Sequence, residues 1–143
     1  MPGLLLSGPA GAGKSSVADD LVRNADEPTI LADFTGLVVC MLAHQRQADG
    51  RYPLRPSWVL PLAEYMRREL IDEARRRGIR VVATNSDGNA DRRRALLDRI
   101  GAPARERIVD PGRDVVRARL SDPATGELSD ACRQAIARWY DRG

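Results

Sequence analysis

Eight consecutive residues, Gly8-Pro9-Ala10-Gly11-Ala12-Gly13-Lys14-Ser15, make a glycine-rich loop that closes on a lysine and a hydroxyl. That spacing suits the capture of a polyphosphate. The glycines accept backbone angles that let successive N–H groups turn inward as an anion nest. Lys14 reaches the β- and γ-phosphate oxygens, and the Ser15 hydroxyl, followed by Ser16, is placed to coordinate Mg²⁺. Lys14 is also the only lysine among 23 lysine and arginine residues. A compact ammonium on a flexible stem suits this position, whereas the wide planar fork of arginine does not. The expectation is a site for ATP or another nucleoside triphosphate with Mg²⁺. It is built from Gly8, Pro9, Ala10, Gly11, Ala12, Gly13, Lys14, Ser15 and Ser16, with Ser15 on the metal.

Other residues could complete such a site. Asp33 precedes Phe34-Thr35-Gly36, where a carboxylate serves as general base toward an acceptor hydroxyl, holds a water on Mg²⁺, or caps the following helix. Thr84-Asn85-Ser86-Asp87 ends an apolar run that carries no terminal aspartate, so Asp87 is either a loop acid or a turn residue. Transfer of a phosphoryl group also needs positive charge around it. Arg113, Arg117 and Arg119 lie before the turn-rich stretch Asp122-Pro123-Ala124-Thr125-Gly126-Glu127, and Arg133 and Arg138 lie after it. A short loop between two arginine-bearing helices suits a closing lid near 113–133, with Arg117 and Arg133 as the preferred pair. Arg51 and Arg55 are candidates for an anionic acceptor. His44, the sole histidine, lacks a paired nucleophile or metal cluster and reads as structural.

These residues need elements to hold them. Apolar runs predict strands over 3–7, 29–32, 79–84 and 105–110. Helical periodicity predicts helices over 15–23, 34–45, 60–77, 90–100, 113–120 and 129–141. Gly78 is expected to end the second long helix, and Ser129 to cap the last one. Alternating strands and helices argue for an α/β three-layer sandwich with a mainly parallel sheet of about four strands. In such sheets ligands sit at the carboxyl ends of the strands, where the loop, Asp33, Asn85-Ser86-Asp87 and Asp110-Pro111-Gly112 would gather.

A chain of 143 residues suits one domain, 1–143. No run of 18 apolar residues occurs, and the strand and loop begin so early that no secretory leader is expected. The resulting expectation is a cytoplasmic protein with no membrane partner. Cys40 and Cys132 lack metal-ligand spacing and read as small core residues. The net charge of +3 is mild. The clusters Arg75-Arg76-Arg77 and Arg92-Arg93-Arg94 have acidic neighbours (Glu73, Asp91, Asp98) and read as solvated helix faces, not as a nucleic-acid footprint.

The order of phosphate loop, helix, strand, aspartate, long helix, strand ending in Thr-Asn and arginine-rich helix resembles the small P-loop kinases related to polynucleotide kinase, zeta-toxin-like and gluconate-kinase-like proteins. The resemblance implies a P-loop NTPase fold and an aspartate, Asp33, that activates the acceptor. It also implies a lid arginine at Arg117 or Arg119, and maps a strand-three Thr-Asn with a following arginine helix onto Thr84-Asn85 and Arg92-Arg93-Arg94. The function expected is a kinase-like phosphotransferase acting on a small hydroxyl acceptor, a nucleotide or a nucleic-acid end. The alternative is a nucleotide-dependent binding or assembly protein, or weak NTPase, that works through self-association or a protein partner. The segment that contacts the base in relatives has no counterpart here, so acceptance of several nucleotides is expected.

Overall fold

The computed structural model describes residues 2–43 and 56–141. The expectations for His44, Arg51, Arg55 and the loop they share lie outside the described residues. Four strands, β1 (Leu4–Ser7), β2 (Thr29–Ala32), β3 (Arg80–Asn85) and β4 (Arg105–Ile108), form one sheet in the order β2-β3-β1-β4. Every pairing is parallel. The helices are α1 (Lys14–Arg23), α2 (Phe34–Met41), α3 (Val59–Arg76), α4 (Ala90–Ile100), α5 (Arg113–Leu120) and α6 (Asp130–Tyr140).

The two-residue period of the strands divides the core. Leu5, Ala32, Val81 and Ala83 pack with Ile71 and Ala74 of α3 and Leu96 and Ile100 of α4. Leu6 and Val82 turn to the other face and meet Ala18 of α1, with Leu4, Val17, Leu21 and Leu31 around them. The sheet is therefore covered on both faces, which is why β1 reads as an unbroken Leu4-Leu5-Leu6 run. β4 is an edge strand, and its sequence Arg105-Glu106-Arg107-Ile108 keeps that edge charged and largely exposed.

Helix ends follow local chemistry. The Gly78 N–H donates to the Arg75 carbonyl (3.2 Å) and the Ile79 N–H to the Ala74 carbonyl (2.8 Å), a Schellman end made at a glycine with φ 65°. Ser129 caps α6 by accepting from the Cys132 N–H, as the sequence leads one to expect.

Two expectations need correction. The helix expected over 34–45 gives way at Met41, with Leu42 as its cap. Gly36 and the β-branched pair Val38-Val39 are weak helix formers, so α2 persists only where Val38 and Leu42 pack on Val59 and Ala63 of α3. Cys40 is exposed, not core. Two residues beyond Val38 is more than half a helical turn, so Cys40 faces away from α3. Cys132 is half-buried beside Val116, Leu128 and Ile136, where α5 and α6 pack together. No helix among the described residues is long and apolar enough to cross a membrane.

Candidate functional site

The loop between β1 and α1 sits at the carboxyl end of a central strand. Gly8 donates its N–H to the Asn85 carbonyl (3.1 Å), and Val109 donates to the Ser7 carbonyl (2.8 Å), so both neighbouring strands fix the loop's entry. A Cβ on Gly8 would lie 1.9 Å from the Val109 carbonyl oxygen. Only glycine fits that close approach. Gly13 (φ 90°) takes the left-handed conformation and opens α1 with no side-chain cap. The first N–H groups of α1 thus remain available to an anion, with the helix dipole behind them.

Lys14 is nearly buried, and its ammonium donates to the carbonyls of Gly8 (2.8 Å) and Pro9 (2.7 Å). Burial pushes its pKa down to about 8, only partly opposed by the Asp33 carboxylate, which raises it. The side chain is therefore folded back on the rim of its own loop, held by two backbone carbonyls.

Asp33 is also buried and draws three donors together. Its Oδ1 accepts from Thr84 Oγ1 (2.7 Å) and Ser15 Oγ (3.2 Å), and its Oδ2 accepts from the Gly36 N–H (3.1 Å). Thr84 Oγ1 accepts in turn from the Phe34 N–H (3.1 Å), which aims the threonine proton at the carboxylate. Capping and site geometry therefore coexist in one side chain. The expected phosphate and metal residues meet the expected acceptor-side aspartate at the ends of β1, β2 and β3.

The donor set suits Mg²⁺. Ser15 and Asp33 offer hard oxygen atoms, and no cluster of three or more His, Cys, Asp or Glu occurs among the described residues. A Mg²⁺ ion there would take most of its shell from phosphate oxygens and water, as this ion commonly does with nucleotides. Asp87 accepts from Arg92 Nη1 (2.7 Å) and from the Asn89 N–H (2.9 Å), and its carbonyl accepts from Asn85 Nδ2 (2.9 Å). Partial desolvation raises its pKa, but the bonds from Arg92 and Asn89 win and hold it below the usual carboxylate value. It serves as a turn residue.

Arg67 escaped the sequence reading. It is buried on α3, donates Nη1 to the Thr84 carbonyl (2.7 Å), pairs with Glu64, and stacks over Phe34 at 5.4 Å from the ring centroid. A signal existed. Val59, Ala63, Arg67, Ile71 and Ala74 share the buried stripe of α3, and a charge in the middle of an apolar stripe calls for a partner.

The arginines before and after the 121–128 turn divide. Arg119 Nη1 donates to the Gly11 carbonyl (3.0 Å), and Leu120 lies beside Gly11, so the end of α5 rests on the glycine-rich loop. Arg117 is exposed on α5, and Arg133 is exposed on α6, where it pairs with Asp130 (3.1 Å). The turn between them is closed by Asp122 N–H to Glu127 carbonyl (2.8 Å) and Gly126 N–H to Asp122 carbonyl (2.7 Å). α6 is anchored behind them. Trp139, 2% exposed, donates Nε1 to Asp110 (3.2 Å), Tyr140 donates its hydroxyl to the same carboxylate, and the Arg138 carbonyl accepts from Gly88 N–H (3.1 Å).

The other arginine clusters are ion-paired helix faces. Arg76 and Arg77 bond to Glu73, Arg92 to Asp87, Arg93 to Glu106 and Arg94 to Asp98. Arg75 donates instead to the Asp98 (3.3 Å) and Arg99 (3.4 Å) carbonyls at the end of α4.

No family model matches the sequence, and no curated protein matches it. Solved structures do match the fold. A gluconokinase from Sinorhizobium meliloti 1021 aligns with a TM-score of 0.57 at 18% identity, over 98% of this chain and 75% of that one. A chain of the Pnkp1/Rnl/Hen1 RNA repair complex aligns with a TM-score of 0.67 at 14% identity, over 96% of this chain and 44% of that one. A putative kinase from Chloroflexus aurantiacus aligns with a TM-score of 0.63 at 17% identity, over 94% of this chain and 74% of that one. The present chain thus spans less than half of the RNA-repair chain. At these identities the likeness establishes the fold alone, an α/β sandwich built on a four-stranded parallel sheet.

Proposed function

We propose that the protein is a Mg²⁺-dependent, kinase-like phosphotransferase. It moves the terminal phosphoryl group of ATP or another nucleoside triphosphate to a hydroxyl on a small molecule, a nucleotide or a nucleic-acid end. The observation that carries this reading is the meeting of the Lys14–Ser15 loop end with the Asp33 carboxylate at the carboxyl edge of the sheet. Lys14 and the free N–H groups of α1 hold the phosphates. Ser15 holds Mg²⁺, which when bound neutralises charge on the phosphate oxygens. Asp33 accepts the acceptor's proton, using the Oδ2 lone pair that the Gly36 N–H leaves free. Arg119 steadies the loop from α5, and the 113–133 hairpin acts as a lid that brings Arg117 and Arg133 toward the transferred group.

A second reading, a nucleotide-dependent binding or assembly protein with slow hydrolysis, draws on one feature. The end of β3 is Thr84-Asn85, with no acid to orient a hydrolytic water. The two readings part in one experiment, transfer of labelled γ-phosphate with Mg²⁺ to nucleosides, nucleotides, 5′-hydroxyl oligonucleotides and sugars. A labelled product that Asp33→Asn fails to form supports the kinase reading. Free phosphate alone, or binding without turnover, supports the second.

A further inference from the structure

P-loop nucleotide enzymes commonly fix their Mg²⁺ with the loop hydroxyl and an aspartate from a neighbouring strand. Here β3 lies beside β1, and its end carries Thr84 and Asn85 where such an acid would stand. The carboxylate that reaches the loop hydroxyl comes instead from Asp33, at the end of β2 on the far side of β3. We infer that the metal-side carboxylate of this protein has moved from β3 to β2. Asp33 Oδ1 then holds the Ser15 hydroxyl for Mg²⁺, while Oδ2 remains the acceptor-side oxygen. This inference rests on the reading of the loop as a Mg²⁺–nucleotide site.

The hydrogen-bond directions support it. An ionised carboxylate only accepts, so the Ser15 proton points at Asp33 Oδ1 and both hydroxyl lone pairs are left for a cation. Thr84 has the opposite constraint. Its oxygen already accepts from the Phe34 N–H, so its proton goes to the same Oδ1 and holds the carboxylate plane from the β3 side. Arg67 adds a bond to the Thr84 carbonyl, which secures the end of β3 from α3. Thr84 and Arg67 are thus positioning residues, and they replace an acid on β3 by orienting one delivered from β2.

The test reads binding, not turnover. AMPPNP and GMPPNP are titrated calorimetrically into the whole protein with Mg²⁺ and with EDTA. Wild type should bind the nucleotide it prefers about tenfold more tightly with Mg²⁺, a coupling of the usual size between two ligands of one site. Asp33→Asn and Asp33→Ser both keep an oxygen for the Gly36 N–H and so preserve the cap. Each should lose the Mg²⁺ enhancement, the ratio of its affinities with Mg²⁺ and with EDTA falling toward one. Adding Ser15→Ala to Asp33→Asn should lower the enhancement no further, since the two residues act on one ion as a unit.

Retention of the full Mg²⁺ enhancement in both Asp33 variants overturns the inference. So does a further, additive loss on adding Ser15→Ala. A variant that keeps the enhancement but no longer transfers phosphate leaves Asp33 as the base while removing it from the metal. Absence of nucleotide binding by wild type removes the functional reading and this inference together.

Discussion

The Ser15 hydroxyl and the Asp33 carboxylate, eighteen residues apart in sequence, meet at 3.2 Å. Their contact ties the start of α1 to the cap of α2, so the glycine-rich loop and the start of α2 share one rigid joint. Thr84 completes the joint from β3.

On the proposed function, the buried ammonium of Lys14 should make nucleotide affinity pH-dependent. Its pKa lies near 8, and phosphate binding favours the charged form. Affinity should hold steady below pH 8 and then fall by up to about tenfold per pH unit above it. The folded state has the opposite slope. Its lysine pKa lies below the ordinary 10.5, so the unfolded chain holds the extra proton between about pH 8 and 10 and the lysine's contribution to stability rises across that window. Calorimetric affinities at pH 7, 8 and 9, beside urea melts of wild type and Lys14→Met, would check both signs. A flat affinity profile through pH 9 would argue against the burial of this charge.

Gly8 should resist replacement even by alanine. The added methyl would meet the Val109 carbonyl oxygen, a backbone atom just past β4 in a residue held by its own N–H bond to the Ser7 carbonyl. Gly8→Ala should cost about 2–3 kcal/mol by urea denaturation, the range of an overpacked site. Gly112→Ala serves as comparison. No atom lies near that Cβ, and only the positive φ is strained, so its cost should be smaller.

The arginines before and after the turn should separate by the quantity they change. Arg119 already touches the loop, so Arg119→Ala should weaken nucleotide binding several-fold, roughly the effect of one ordinary, exposed hydrogen bond. Arg117 and Arg133 are exposed, so their alanine variants should leave nucleotide affinity unchanged. If the hairpin closes over the phosphates, each should lower kcat about tenfold or more. Unchanged kcat in both variants would leave Arg119 as the hairpin's cation.

The hairpin itself hangs on Trp139. Its ring is buried and its Nε1–H reaches Asp110 just past β4. Trp139→Ala should cost about 3–5 kcal/mol, as large aromatic deletions from a core do. Trp139→Phe should cost much less. Thermal melts of the two variants would rank them.

What could be read from the sequence was what local chemistry determines. The loop from Gly8 to Ser15 carries its own conformational and charge requirements, and the alternation of Leu5 and Leu6 follows from a two-residue period. Gly78 and Ser129 end and begin helices for reasons within one turn. The helix after Asp33 ran shorter than its apolar pattern because packing on α3, not propensity, sets its length. Relations across the sheet were out of reach. Nothing near Thr84 in sequence indicates that its hydroxyl serves Asp33. Arg119, not Arg117, rests on the loop because two positions along a helix turn a side chain by about 200°.

The central claim is that this loop binds a Mg²⁺–nucleoside triphosphate through Lys14. Its most direct test is calorimetric titration of the four common nucleoside triphosphates, with Mg²⁺ at pH 7, into wild type and Lys14→Ala. The expected result is saturable one-to-one binding of at least one triphosphate by wild type and none by the variant. Equal binding by both proteins, or no binding by wild type to any of the four, would contradict it.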